Sequence, residues 1–169
     1  LGGFVGATAD AGADNDTLYF SSTVSAGIVN AGAGSDTIEF NGAKLSGAVK
    51  VSLDLGYDSV VFTNTTVDGA QFGSSGTSSF SGNLSRLESG GVSFWGGAGT
   101  DAFSLSIGTA GSGTAYFWDI GGSDTITFSN NVGSSVMFGV STATAAQVIT
   151  FVSDQVTGTG GVTTNMFAL

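Results

Sequence analysis

One aspartate recurs through this chain in a fixed local frame, and that recurrence restricts the fold more than any other feature. Aligned on it, five stretches read DAGADNDTLYF (10–20), NAGAGSDTIEF (30–40), DLGYDSVVF (54–62), WGGAGTDAFSL (95–105) and DIGGSDTITF (119–128). The anchors are Asp16, Asp36, Asp58, Asp101 and Asp124, separated by 20, 22, 43 and 23 residues. The long interval spans about two periods, so a copy near 78–83 (SSFSGNLS) has decayed. Two residues past the anchors stand Leu18, Ile38, Val60, Phe103 and Ile126; four past stand Phe20, Phe40, Phe62, Leu105 and Phe128. The residues between are mostly polar or small, which is the period-2 pattern of a strand with one buried face.

A second strand precedes each turn, in SAGIVNAG, GAVKVSLDLG, GGVSFWGG and TAYFWDIGG. A unit of about 21 residues with two short strands cannot bury its own apolar face, but stacked copies can, each residue type lying over its own kind. The pattern therefore predicts an all-β chain, a parallel β-solenoid of the β-roll or β-helix kind, with Phe20, Phe40, Phe62 and Phe128 as an interior ladder. At about 4.8 Å per coil, seven or eight coils make a rod on the order of 35 Å long. The alternative is a β-sandwich with a strand about every 10 residues. It ranks second because a sandwich does not require one residue type per column.

Composition supports the β reading and narrows the function. Gly occurs 29 times, without the three-residue period of collagen, and Pro, Cys and His are absent. Neither a disulfide framework nor a Cys/His zinc site can form. Thirteen carboxylates face Lys44, Lys50 and Arg86, a net charge of −10. A basic nucleic-acid footprint and a polybasic membrane surface are both missing, and no apolar run has transmembrane length, so neither nucleic acid nor membrane insertion is expected. A divalent cation is the natural partner of such a chain.

The repeats divide the chain into 1–128, with the anchored turns, and 129–169, where the Gly-x-Asp turn is gone and terminal coils or a cap of the same domain are expected. The chain begins LGGFVG, without Met, inside a coil. It reads as a piece of something longer, and an open strand edge there would pair with a preceding module or another copy.

GGAGTDAF (96–103) matches the Gly-Gly-x-Gly-x-Asp-x-U nonapeptide of the RTX, or haemolysin-type, calcium-binding repeats at each defined position. AGAGSDTI (31–38) lacks one Gly, AGADNDTL (11–18) lacks two, with Asp14 at a Gly position, and GYDSV and GGSDTI read as shortened turns. The chain thus resembles that family over residues 10–128, in degenerate form with one motif turn per coil. The resemblance implies Ca²⁺ held between successive coils, in a single line of sites. It also implies a secreted protein of the bacterial cell surface: an S-layer, adhesin or filament component. The residues it marks as ligands are Asp10, Asp14, Asp16, Asn30, Asp36, Asp54, Asp58, Asp101, Asp119 and Asp124.

Physical chemistry points the same way. Ca²⁺ takes six to eight oxygens from carboxylates and carbonyls, and glycine turns aim carbonyls inward. Aspartates stacked about 4.8 Å apart repel by roughly 0.9 kcal/mol even in water. Asp10, Asn30, Asp54 and Asp119 are read as a second Asx column opening the same turns, interrupted by Trp95. The competing reading of the anchors is structural: a carboxylate before a strand caps backbone N–H groups.

The expected function is an extracellular structural or adhesive module that self-assembles with itself or with adjacent modules through its ends, with cell-surface polysaccharide as a further candidate partner. An enzyme acting on acidic polysaccharide is the first alternative. It is disfavoured because such chemistry wants a base beside carboxylates, and Arg86 with Glu88 reads as a solvated pair. Ice binding is the second alternative, on the broken ladder Thr17, Thr37, Ser59, Ala102 and Thr125.

Overall fold

The computed structural model describes residues 3–110, 113–119, 122–129, 135–140, 148–152 and 167–168. The strands in chain order are β1 (Phe4–Val5), β2 (Thr8–Asp10), β3 (Thr17–Phe20), β4 (Thr23–Ser25), β5 (Ile28–Asn30), β6 (Thr37–Asn41), β7 (Lys44–Leu53) and β8 (Tyr57–Ser74). They continue as β9 (Thr77–Leu87), β10 (Val92–Trp95), β11 (Ala102–Ala110), β12 (Thr114–Asp119), β13 (Thr125–Ser129), β14 (Ser135–Val140), β15 (Val148–Val152) and β16 (Phe167–Ala168). Among the described residues there is no helix, and all strand pairs are parallel. The fold is a β-solenoid with coils of about 22 residues.

Pairing sorts the strands into three faces. Face A follows the anchor and stacks β3, β6, the start of β8, the start of β9, β11, β13 and β15. Face C precedes the turn and stacks β2, β5, the end of β7, the end of β8, β10, β12, β14 and β16. Face B lies between them, running from β1 and β4 through β7 and β8 to the ends of β9 and β11. The sequence reading of two strands per coil lacked this third, short side. Its apolar signal is one residue per coil (Phe4, Val24, Leu45, Val67 and Leu87 in register), too little to show as alternation.

The core follows the predicted columns. Leu18, Ile38, Val60, Phe80, Phe103 and Ile126 are in register. Phe20, Phe40 and Phe62 stack face to face, with ring centroids 5.2 and 5.8 Å apart. In the next coil their row holds Gly82, then Leu105 and Phe128; the Phe128 side chain lies outside the described set. The aromatic column crosses the interior at that point. Phe72, Phe94 and Phe117 of face C stack at 5.2 and 4.9 Å, and Phe72 meets Phe62 edge-on at 5.3 Å. Ring pairs of this kind add about 0.5–1.5 kcal/mol beyond area burial.

Of residues 129–169, three strands are described in their pairing. β14, β15 and β16 extend faces A and C in the same parallel register. The rest of that segment lies outside the described residues.

Candidate functional site: the aspartate row at the turns

The turn from face C to face A is built on close backbone stacking. Two residues before each anchor stand Asp14, Gly34, Gly56, Gly76, Gly99 and Gly122. A Cβ on Gly34 would strike the Asp14 carbonyl oxygen, one on Gly56 that of Gly34, and one on Gly122 that of Gly99. Asp14, on the coil where the column starts among the described residues, is exposed and keeps its side chain at φ 83°. This is why a non-glycine is tolerated there although the repeat calls for Gly.

From Asp36 onward the anchor carboxylates lie inside and reach back one coil. Asp36 Oδ1 accepts the backbone N–H of Asp16 at 2.8 Å, Asp58 Oδ1 that of Asp36 at 2.9 Å, and Asp124 Oδ1 that of Asp101 at 2.6 Å. The decayed coil belongs to the same row, because Ser78 is paired with Asp58. Asp101 Oδ1 accepts both the N–H (2.7 Å) and the hydroxyl (2.6 Å) of Ser78, and its Oδ2 accepts Gly97 N–H at 3.0 Å. Asp36, Asp58, Asp101 and Asp124 are at most 2% exposed. The row is thus a set of charge-assisted caps joining coil to coil.

Asp36 and Asp58 use one oxygen as a cap and leave the other without a partner, whereas Asp101 uses both. The Oδ2 atoms of Asp16, Asp36 and Asp58 are buried and have no hydrogen-bond partner. Burial raises the Asp58 carboxyl above its ordinary value, the Asp36 N–H pulls it down, and the charges of Asp36 and Asp54 push it up again. Because the folded state holds this proton more tightly than the unfolded chain, Asp58 adds stability as pH falls through its raised pKa toward the ordinary carboxylate value. As an anion at neutral pH it costs stability.

The remaining sequence-predicted ligands are placed differently. Asp10 and Asn30 do share a row, but the row continues as Ser52, Gly73, Trp95 and Trp118. Asp54 lies two residues past Ser52 and is exposed, and Asp119 pairs with Val140, one residue past Trp118. The second Asx column is therefore not a column beyond Asn30. The turns at Asp58 and Asp124 are not shortened either. Ser52 and Trp118 precede their anchors by six residues, as Asp10, Asn30 and Trp95 do; only the Gly73–Ser78 turn is one residue shorter. Asx and Gly identities inside these loops are a poor guide to register, because the backbone keeps length instead.

Sequence reasoning passed over Ser78 as a member of the anchor row. Ser78 stands 20 residues after Asp58 and 23 before Asp101, with Phe80 two further on, so its place was readable from the period. Trp95 and Trp118 are one period apart and stack on the outside of face C, centroids 5.6 Å apart.

A cation in the anchor row would find unpartnered carboxylate oxygens on Asp16, Asp36 and Asp58. It would not find three carboxylates converging, since no such group exists among the described residues. A calcium ion there would draw most of its oxygens from backbone carbonyls, as glycine-rich turns allow. No helix among the described residues is long and apolar enough to cross a membrane. No protein family, curated protein or solved structure matches the chain.

Proposed function

We propose that the chain is a structural and adhesive module of an extracellular bacterial surface or filament protein, a stiff β-solenoid segment whose aspartate row is neutralised by calcium. The observation that carries this reading is the row itself. Asp36, Asp58, Asp101 and Asp124 are buried in one row, interrupted at Ser78, and Asp16, Asp36 and Asp58 each keep an orphaned oxygen. Such groups persist in a fold only when a proton or a cation offsets them. The parallel ladder running through faces A and C supports the stiff-rod part of the reading, and the resemblance to RTX repeats supports the extracellular part.

In this account Asp16, Asp36 and Asp58 would each offer one oxygen to ions lying in a line between successive coils, the glycine turns would supply the carbonyls, and calcium would contribute charge neutralisation. The caps remain the work of this chain's own residues. The ends of the ladder suit stacking on a further module or another copy.

Melting in calcium against EGTA at pH 7 tests the proposal. Saturating calcium at about 100 Kd should stabilise by about 2.7 kcal/mol, read as a rise in Tm. An unchanged Tm would remove calcium and leave protons as the neutralising species.

The ice-binding alternative has less support. The outward row of face A does gather Thr17, Thr37, Ser59, Ser79, Ala102 and Thr125, but the row beside it runs Tyr19, Glu39, Val61, Ser81 and Ser104.

A further inference from the structure

Face C carries a second arrangement that the aspartate row does not explain. Trp95 and Trp118 stand side by side in the outward row, rings nearly parallel at 19°, and are 43% and 37% exposed. One face of Trp95 is covered by Trp118. The row neighbour on the other side is Gly73. A Cβ built on Gly73 meets nothing within 4 Å, so that side of the indole looks onto open space. The space is a depression of about 310 Å³ lined by Trp95, Gly73, Lys50, Ser52, Gln71 and Ser75. It therefore has one aromatic wall and a rim of hydroxyl, amide and ammonium groups. A small-molecule site combines apolar surface with a few placed polar groups in the same way.

Charge narrows the occupant. Of the three cations, Lys44 and Arg86 both turn to Glu88, at 3.7 and 3.5 Å. Lys50, exposed at the depression, pairs with no carboxylate among the described residues. A pyranose ring has an apolar C–H face that suits an indole, hydroxyls that suit Ser and Gln, and, if acidic, a carboxylate that suits Lys50. The net charge of −10 disfavours a densely charged polymer and favours acidic units spaced by neutral ones.

We propose that the depression over Gly73 binds a uronate unit of a mixed acidic and neutral polysaccharide, its ring on the open face of Trp95 and its carboxylate on Lys50. This deepens the adhesive half of the function above and rests on it.

The probe is a hyaluronan tetrasaccharide, in which glucuronate alternates with a neutral sugar, titrated by calorimetry and by the fluorescence of the two tryptophans. Neutral chitotetraose is the comparison. Hyaluronan should bind, with a change in tryptophan emission, and chitotetraose should bind about tenfold more weakly. Lys50→Gln should abolish that difference. Gly73→Tyr, at a position where an added Cβ meets nothing within 4 Å, should fill the depression and abolish binding with the fold retained; Trp95→Ala should also abolish binding, with only a small fall in Tm from the lost stacking on Trp118. Absence of hyaluronan binding, equal affinity for both sugars, or binding that survives Gly73→Tyr or Trp95→Ala would each overturn the site. Such a failure leaves the calcium and pH responses of the rod untouched, so the two readings fail separately.

Discussion

The coils spanning residues 16–63 and the coil that follows them solve the same stacking problem with different residues. In the first region each coil repeats an anchor aspartate and an interior phenylalanine: Asp16, Asp36 and Asp58 at the turn, Phe20, Phe40 and Phe62 inside. In the next coil the same positions hold Ser78 and Gly82. Strand pairing nevertheless continues through β9, with register shifts just past the Phe62–Gly82 pair. Gly82 is filled around rather than replaced. Phe80 of the same coil stacks on Phe103 at 5.0 Å and meets Phe94 edge-on at 5.1 Å, so aromatic volume arrives from the neighbouring row and the opposite face. Ser78 gives up the charge and becomes a donor to Asp101 through both its N–H and its hydroxyl. A column of this solenoid can thus change chemistry provided the volume and the caps are met from elsewhere.

The largest effect should come from the regular region. Phe40 is sandwiched between Phe20 and Phe62 and touched edge-on by Phe72. Phe40→Ala should cost about 3–5 kcal/mol in denaturant unfolding, since its neighbours cannot close the gap. A loss near 1 kcal/mol would mean the ladder is not a packed column.

Next comes the compensated coil. Asp101→Ala strips the acceptor from Ser78 N–H, Ser78 Oγ and Gly97 N–H, and should cost about 2–4 kcal/mol. Asp36→Ala removes the acceptor of one cap, that of Asp16, and should cost about 1–2 kcal/mol. If the two losses were reversed in order, the compensation by Ser78 would be wrong.

Restoring the repeat should not restore stability. Ser78→Asp places a further carboxylate between Asp58 and Asp101 and gives up the hydroxyl bond to Asp101. It should destabilise by about 1 kcal/mol at pH 7 in EGTA, with part of the loss recovered as pH falls and Asp58 takes up its proton. A stabilising Ser78→Asp in EGTA would show that the row tolerates charge better than its burial implies. The smallest effect is expected at Asp54, which is exposed. Asp54→Asn removes a charge that pushes the Asp58 carboxyl up and should change stability by no more than about 0.5 kcal/mol.

Much of this architecture is legible in the sequence because a solenoid writes its register as a period. The apolar rows of face A, the decayed copy near Phe80 and the parallel stacking all follow from spacing and alternation. Face B is not legible, since one buried residue per coil carries no alternation. The false Asx column at Asp54 and Asp119 has a related cause. Loop residues were aligned by identity, while the backbone counts six residues from Ser52 or Trp118 to the anchor. The direction of the caps was also hidden. Nothing in the spacing says that Asp58 reaches back to Asp36 N–H, although capping was one of the two readings open for these residues. Gly73 looked like one glycine among many until the register set it beside Trp95.

The central claim is that the anchor row ties coils together by capping, at an electrostatic cost that a proton or a cation relieves. The most direct measurement is the unfolding free energy of the wild type and of Asp58→Asn between pH 4 and pH 7, in EGTA. Asparagine keeps an oxygen for the Asp36 N–H and removes the charge. The account predicts that Asp58→Asn is at least as stable as the wild type at pH 7, and that the difference shrinks as pH falls and Asp58 takes up its proton. A substantial loss of stability in Asp58→Asn at pH 7, unchanged at lower pH, would contradict it.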